Sequence, residues 1–183
     1  MEAPRLKKLY VNQLRTKLHK ELDLSSIMEV PKLEKVVLNV GVKNAVNDSK
    51  ALQAVMDVVK KVTGQAPVKT KARKSIAAFK LREGMPIGVK VTLRGNKMYE
   101  FVDRLISLAL PKMRDFQGTT RNFDSRGNYN LGIKEWTIFP EVDFDEAKAL
   151  KQGFNITFHT TAKTDDQAFA LLKGLGFPFK KDK

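Results

Sequence analysis

Between Gly64 and Met98 the chain carries nine basic residues, Lys69, Lys71, Arg73, Lys74, Lys80, Arg82, Lys90, Arg94 and Lys97, against one acid, Glu83. Ammonium and guanidinium groups at that density neutralise phosphates, and a polyanion such as nucleic acid is their natural partner. Solvated surfaces normally mix glutamate with lysine, and this stretch does not. The full chain of 183 residues has a net charge of +14. Domains charged only for solubility stay nearer roughly 2–8.

Other chemistry finds no support in the residue types. There is no cysteine, which excludes disulfides, thiolate metal sites and cysteine nucleophiles. The two histidines, His19 and His159, stand far apart, each read as a surface or structural residue. Gly84–Gly88 lacks the Lys-Ser/Thr of a phosphate-binding loop. Asp124 to Asn128 resembles a calcium loop in outline, but Arg126 occupies an oxygen-ligand position. No catalytic residue, metal site, cofactor or small-molecule substrate is expected. The N-terminus lacks the apolar core of a signal peptide, and no apolar run approaches the roughly 20 residues that span a bilayer. A cytoplasmic protein without a membrane partner is the expectation.

The elements that must position the cations follow from periodicity. Leu6, Tyr10, Leu14 and Leu18 define a helix over Arg5–Leu22. Val36, Leu38, Val40 and Val42 alternate with Lys35, Val37, Asn39 and Gly41, a strand with one buried face. Ser49 caps a second helix on Leu52, Val55, Met56, Val59 and Val62, ended by Gly64. Short strands are predicted over 68–73 and 87–94. A third helix uses Met98, Phe101, Val102, Leu105 and Leu108 and stops at Pro111. A loop over 117–132, strands near 133–139 and 154–162 around the acidic insert Glu141–Glu146, and a last helix from Asp165 to about Leu172 complete the chain. Thr164 and Gln167 suggest a capping box for that helix. The order predicts a single α+β domain over 1–183: a largely antiparallel sheet, helices on one face, an open basic face on the other.

Alternation places Lys69, Lys71 and Arg73 away from the core on one strand and Lys90, Thr92 and Arg94 on another. Lys35 and Asn39 share that phase on the first strand. Such a face suits phosphates, 2′-hydroxyls and base edges. The stretch 72–86, with Arg73, Lys74, Ser75, Phe79, Lys80 and Arg82, reads as a basic loop able to reach a second RNA.

Several segments resemble the signatures of the fifth large-subunit ribosomal protein in its bacterial form. They are Leu38-Asn39-Val40-Gly41-Val42, Thr70-Lys71-Ala72-Arg73-Lys74-Ser75, Gly88 to Gly95, Arg114-Asp115-Phe116, Arg126-Gly127-Asn128-Tyr129, Ile138-Phe139-Pro140-Glu141 and Phe177-Pro178-Phe179. The resemblance runs nearly end to end. It implies a structural place in the central protuberance, with 5S rRNA on the open sheet face and Asn39, Gln65 and Thr92 among its contacts. It implies that the basic loop reaches P-site tRNA and that 23S rRNA is a further partner. It also implies that 116–132, with the acids at 141–146, faces the thirteenth small-subunit protein across the intersubunit bridge. Gln117 departs from an expected arginine and Ser125 from a usual glycine. The alternative reading is a non-ribosomal RNA chaperone or ribosome maturation factor, which should bind many RNAs alike.

Overall fold

The computed structural model describes residues 3–46, 49–114, 116–149 and 152–180. Strands β1 (Leu33–Gly41), β2 (Val68–Lys71), β3 (Pro86–Leu93), β4 (Tyr129–Ile133) and β5 (Phe154–Thr160) form an antiparallel sheet in the order β2-β3-β1-β5-β4. With helices α1 (5–21), α2 (Ser49–Thr63), α3 (95–112), α4 (Phe144–Ala149) and α5 (Asp165–Gly174), the class is α+β as expected. Chain contacts define two compact units. One comprises Met1–Val36, Arg94–Leu131 and Thr157–Lys183; the other comprises Val37–Leu93 and Gly132–Ile156.

In the first unit, α1 buries Leu6, Tyr10, Leu14 and Leu18. Residues four apart overshoot a full α-helical turn by about 40°, so such a stripe would drift around the helix. A wider π turn over Tyr10–Leu14, with Arg15 N–H on Tyr10 O, takes up the drift. The same device changes the expected face of α3. Its π turn over Leu105–Ala109 leaves Leu108 52% exposed and buries Ala109 and Leu110 instead. Pro111 does not stop this helix, which runs to Lys112. The widened turn before it, closed by Leu110 N–H on Leu105 O, makes room where a proline ring would otherwise meet a carbonyl.

At the other end of this unit Tyr129, Phe158 and Phe177 form an aromatic cluster with centroids 5.3–5.9 Å apart. Helix α5 starts as predicted: Thr164 Oγ1 accepts from Gln167 N–H, while Gln167 Oε1 accepts from Lys163 N–H at 3.0 Å. The box closes one residue earlier than the motif suggests.

In the second unit β3 turns Val89, Val91 and Leu93 inward, and α2 packs on this strand. Leu52, Val55, Val59 and Val62 are buried as expected; Val58 joins them, and Met56 is only half-buried. Each fully buried side chain of this kind contributes roughly 1.5–3 kcal/mol. The helix starts at Ser49, and the expected cap rests on a side chain outside the described residues.

The strand predicted near 133–139 lies earlier, at Tyr129–Ile133. A turn at Asp124–Asn128, closed by Asp124 N–H on Asn128 O, launches it inside the expected loop. Beyond Ile133 the chain runs in successive turns, with Phe139 N–H on Trp136 O and Val142 N–H on Phe139 O. Trp136, Phe139 and Val142 are buried at a spacing of three, which a strand could not put on one side. Trp136 Nε1 donates to Gln152 O at 2.8 Å, and its ring lies 4.2 Å from that of Phe154.

Candidate nucleic-acid interface

The site is built from strand residues that point away from the helices. In the second unit these are Lys90, exposed, and Thr92, half-buried, between the buried Val89, Val91 and Leu93 of β3. On the adjacent strand β1, Asn39 is exposed between buried Leu38 and Val40. Gln65 reaches β3 from the end of α2: its Nε2 donates to Thr92 O at 3.0 Å. Thr63 fixes that approach. Its hydroxyl donates to Val59 O at 2.7 Å and accepts from Gln65 N–H at 3.3 Å.

The register of β2 corrects the sequence expectation. Val68 pairs with Lys90, Lys69 with Val89 and Thr70 with Gly88. Directly paired residues share a face. Lys69 therefore shares the side of buried Val89, and Val68 shares the side of Lys90, the reverse of the alternation argument. Val68, on the strand that ends the sheet, is 68% exposed. A bulge between Thr70 and Lys71, whose partner is Pro86, interrupts the phase before Lys71. Gly88 confirms the arrangement: a Cβ there would stand 2.8 Å from Thr70 Oγ1 and 2.6 Å from Val40 O. Lys69 and Lys71 remain exposed cations at the sheet edge.

In the first unit, Lys35 is half-buried on β1 and Arg94 is exposed just after β3, 3.6 Å from Glu34. Thr157 and His159 alternate on β5 with buried Ile156, Phe158 and Thr160, and Thr157 Oγ1 donates to Asn130 Oδ1 at 2.8 Å. Burial, then the charge of Lys35, holds the His159 imidazole below its ordinary pKa; Glu34 and Asp124 act in the opposite sense, and Arg94 adds the smallest lowering effect. The sequence reading set His159 aside. The signal was present in Asn155, Thr157 and His159 alternating with Phe154, Ile156 and Phe158.

The basic stretch over 72–85 is an ordered finger. Ala72 N–H bonds Met85 O and Gly84 N–H bonds Ala72 O at its base. Ile76 and Leu81 exchange both backbone bonds, at 2.9 and 3.1 Å, and Ser75 Oγ accepts from Glu83 N–H. The tip turns through Lys80 at φ +52°. Arg73, Lys74, Ser75, Phe79, Lys80 and Arg82 are all exposed, Phe79 by 72%.

The acids at 141–146 are partly neutralised from within their unit. Lys61 Nζ lies 2.8 Å from Glu146 Oε1 and 3.6 Å from Asp143 Oδ2. Asp143, Phe144 and Asp145 stay exposed. The Asp124 turn is a hydrogen-bonded loop: Asp124 Oδ1 accepts from Arg126 N–H and Asn128 N–H, both at 2.9 Å. The Asn128 side-chain amide bond holds the Asp124 carboxyl below its ordinary range. Ser125 has φ +64°, a backbone conformation that glycine adopts freely. Among the described residues no three His, Cys, Asp or Glu side chains group as a metal site. No helix described is long and apolar enough to cross a membrane.

The outward Lys, Asn and Thr on the strands of this basic α+β protein give a surface chemically suited to a polyanion. The comparisons give the family. Residues 26–82 match the profile of ribosomal protein L5, and residues 86–179 match the profile of that ribosomal family's C-terminus. The chain is 54% identical over 178 residues to the large ribosomal subunit protein uL5 of Desulforamulus reducens, covering 97% of this chain and 98% of that one. The chain belongs to the ribosomal protein L5 family, a family of structural proteins and not of enzymes.

Proposed function

We propose that this chain is a structural constituent of the large subunit of the cytoplasmic ribosome and holds 5S rRNA on the outward faces of its strands. The observation that carries the reading is the outward set Asn39, Lys90 and Thr92 on adjacent strands, with Gln65 tied to Thr92 O at 3.0 Å. Lys90, with Lys35 and Arg94 in the other unit, supplies phosphate-neutralising charge. Asn39 and Thr92 supply neutral donors and acceptors for 2′-hydroxyls and base edges. Lys69 and Lys71 reach RNA from the sheet edge. The ordered finger carries Arg73, Lys74, Ser75, Phe79, Lys80 and Arg82 to P-site tRNA, and 23S rRNA is a further partner. The exposed Asp143, Phe144 and Asp145, with the segment 116–132, face the thirteenth small-subunit protein.

Binding of the full chain to 5S rRNA and to an unrelated RNA of matched length tests this reading. Preference for 5S rRNA that Asn39→Ala reduces by roughly 1–3 kcal/mol, with the salt slope unchanged, supports recognition at this face. Equal affinity for both RNAs would instead favour a chaperone or maturation factor.

A further inference from the structure

In the first unit, two cations from different segments converge on one ring. The Arg121 guanidinium carbon stands 4.1 Å from the Phe169 centroid, and Lys173 Nζ stands 5.8 Å from it. Phe169 is braced by Phe179, 4.8 Å away, and by Phe123 at 6.5 Å. A hollow of about 560 Å³ opens here, and a third cation, Lys180, lines it together with Phe177 and Pro178. Among the described residues that line it, three are cationic and none is acidic.

The hollow is held by backbone. Thr119 N–H bonds Pro178 O at 2.8 Å and Lys180 N–H bonds Thr119 O at 3.0 Å, which fastens the segment bearing Arg121 to the one bearing Lys180. Gly118 packs so closely that a Cβ would meet Lys180 Cα at 2.8 Å. Arg121, Lys173 and Lys180 bring three cationic side chains to one hollow, a setting that suits a polyanion. A guanidinium laid on a ring has its fork of donors ordered in advance, which suits phosphate oxygens.

We propose that this hollow is a further RNA site, distinct from the strand faces and the finger, taking the phosphate backbone of a single-stranded segment, and that Arg121 belongs to it and not to the face turned toward the small subunit. Arg121, Lys173 and Lys180 bind the phosphates, and the half-buried Phe179 offers a surface to the adjoining ribose or base. Arg121 and Lys173 are exposed, so replacing them leaves the core intact. The site goes beyond 5S rRNA binding by the strands and does not depend on it.

The test follows the Arg121 side-chain N–H signal of the full chain by NMR during titration with a short oligouridylate, inorganic phosphate or polyglutamate. The expected result is a shift with oligouridylate at a concentration about tenfold or more below that needed with inorganic phosphate, because several phosphates engage several cations. Lys173→Gln should weaken that response several-fold, and Lys90→Ala should leave it unchanged. An unmoved Arg121 signal would overturn the proposal. So would equal potency of inorganic phosphate, which means a free-anion site, or a stronger response to polyglutamate, which means an acidic protein partner. Loss of 5S rRNA preference with the Arg121 response preserved would sink the strand-face reading alone.

Discussion

Gln65 donates its side-chain amide N–H to the carbonyl oxygen of Thr92 at 3.0 Å, so the residue that leaves α2 is tied to an outward position of β3. The bond connects the packing of α2 to the geometry of the candidate RNA face. Gln65→Leu removes the donor from a half-buried carbonyl and should cost about 1 kcal/mol of stability, read from urea denaturation. The same variant should lose 5S rRNA affinity by more than that stability change explains. Unchanged affinity would separate Gln65 from the face.

The register of β2 yields a discriminating pair. Lys90→Ala should shallow the salt dependence of 5S rRNA binding by about 0.7 to 0.9 units in log–log form. Lys69, paired with buried Val89, should give a smaller change when replaced by alanine. Equal slopes for the two variants would mean that RNA wraps the sheet edge and that the pairing does not govern contact.

Deleting Ile76 to Leu81 removes only the tip of the finger, whose residues are exposed or half-buried and belong to no core stripe. The shortened chain should keep its melting temperature and its 5S rRNA affinity. Ribosomes assembled with it should hold P-site tRNA less tightly, because Phe79 and Lys80 are gone. Loss of 5S rRNA binding with tRNA binding retained would reverse the assignment of the two surfaces.

His159 gives a pH signature with a definite sign. Its folded pKa lies below the ordinary value through burial and then the Lys35 charge, while the unfolded imidazole titrates near about 6.5. Above that pH its contribution to stability is constant. As pH falls through about 6.5 the unfolded state takes up the proton first, so stability declines until the folded imidazole also protonates. His159→Gln should lack this component, seen as a flatter urea midpoint between about pH 7.5 and 5.5. A variant with the same pH profile as the parent would refute the assignment.

Trp136 is the only tryptophan, and it is buried with its indole N–H on Gln152 O. Trp136→Ala should destabilise the chain by about 3–5 kcal/mol through loss of packing and the cavity left behind. Trp136→Phe should cost less, keeping a ring against Phe154 while losing the hydrogen bond and part of the packed indole volume. In the parent chain its fluorescence should change in step with circular dichroism on unfolding; a separate earlier transition would mean that the 134–142 turns open independently.

By itself the sequence determined the α+β class, the basic stretch, most of the inward residues of α1, α2, β1 and β3, and the cap of α5. These rest on local periodicity and on charges that any fold must solvate or pair. The outward placement of Asn39, Lys90 and Thr92 came from the same alternation, because both strands have buried neighbours on the other side. Tertiary structure decided the rest. The face of Lys69 depends on its pairing with Val89, and an edge strand with no buried residue gives alternation no buried side to mark. The exposure of Leu108 and the passage of α3 through Pro111 depend on a π turn, a change in hydrogen-bond partner that residue spacing does not encode. The turns over 134–142 exist because Trp136 finds Gln152 O and Phe154, partners distant in the chain. The convergence of Arg121, Lys173 and Lys180 is likewise an outcome of backbone bonds between Thr119 and the segment Pro178–Lys180, nearly sixty residues apart.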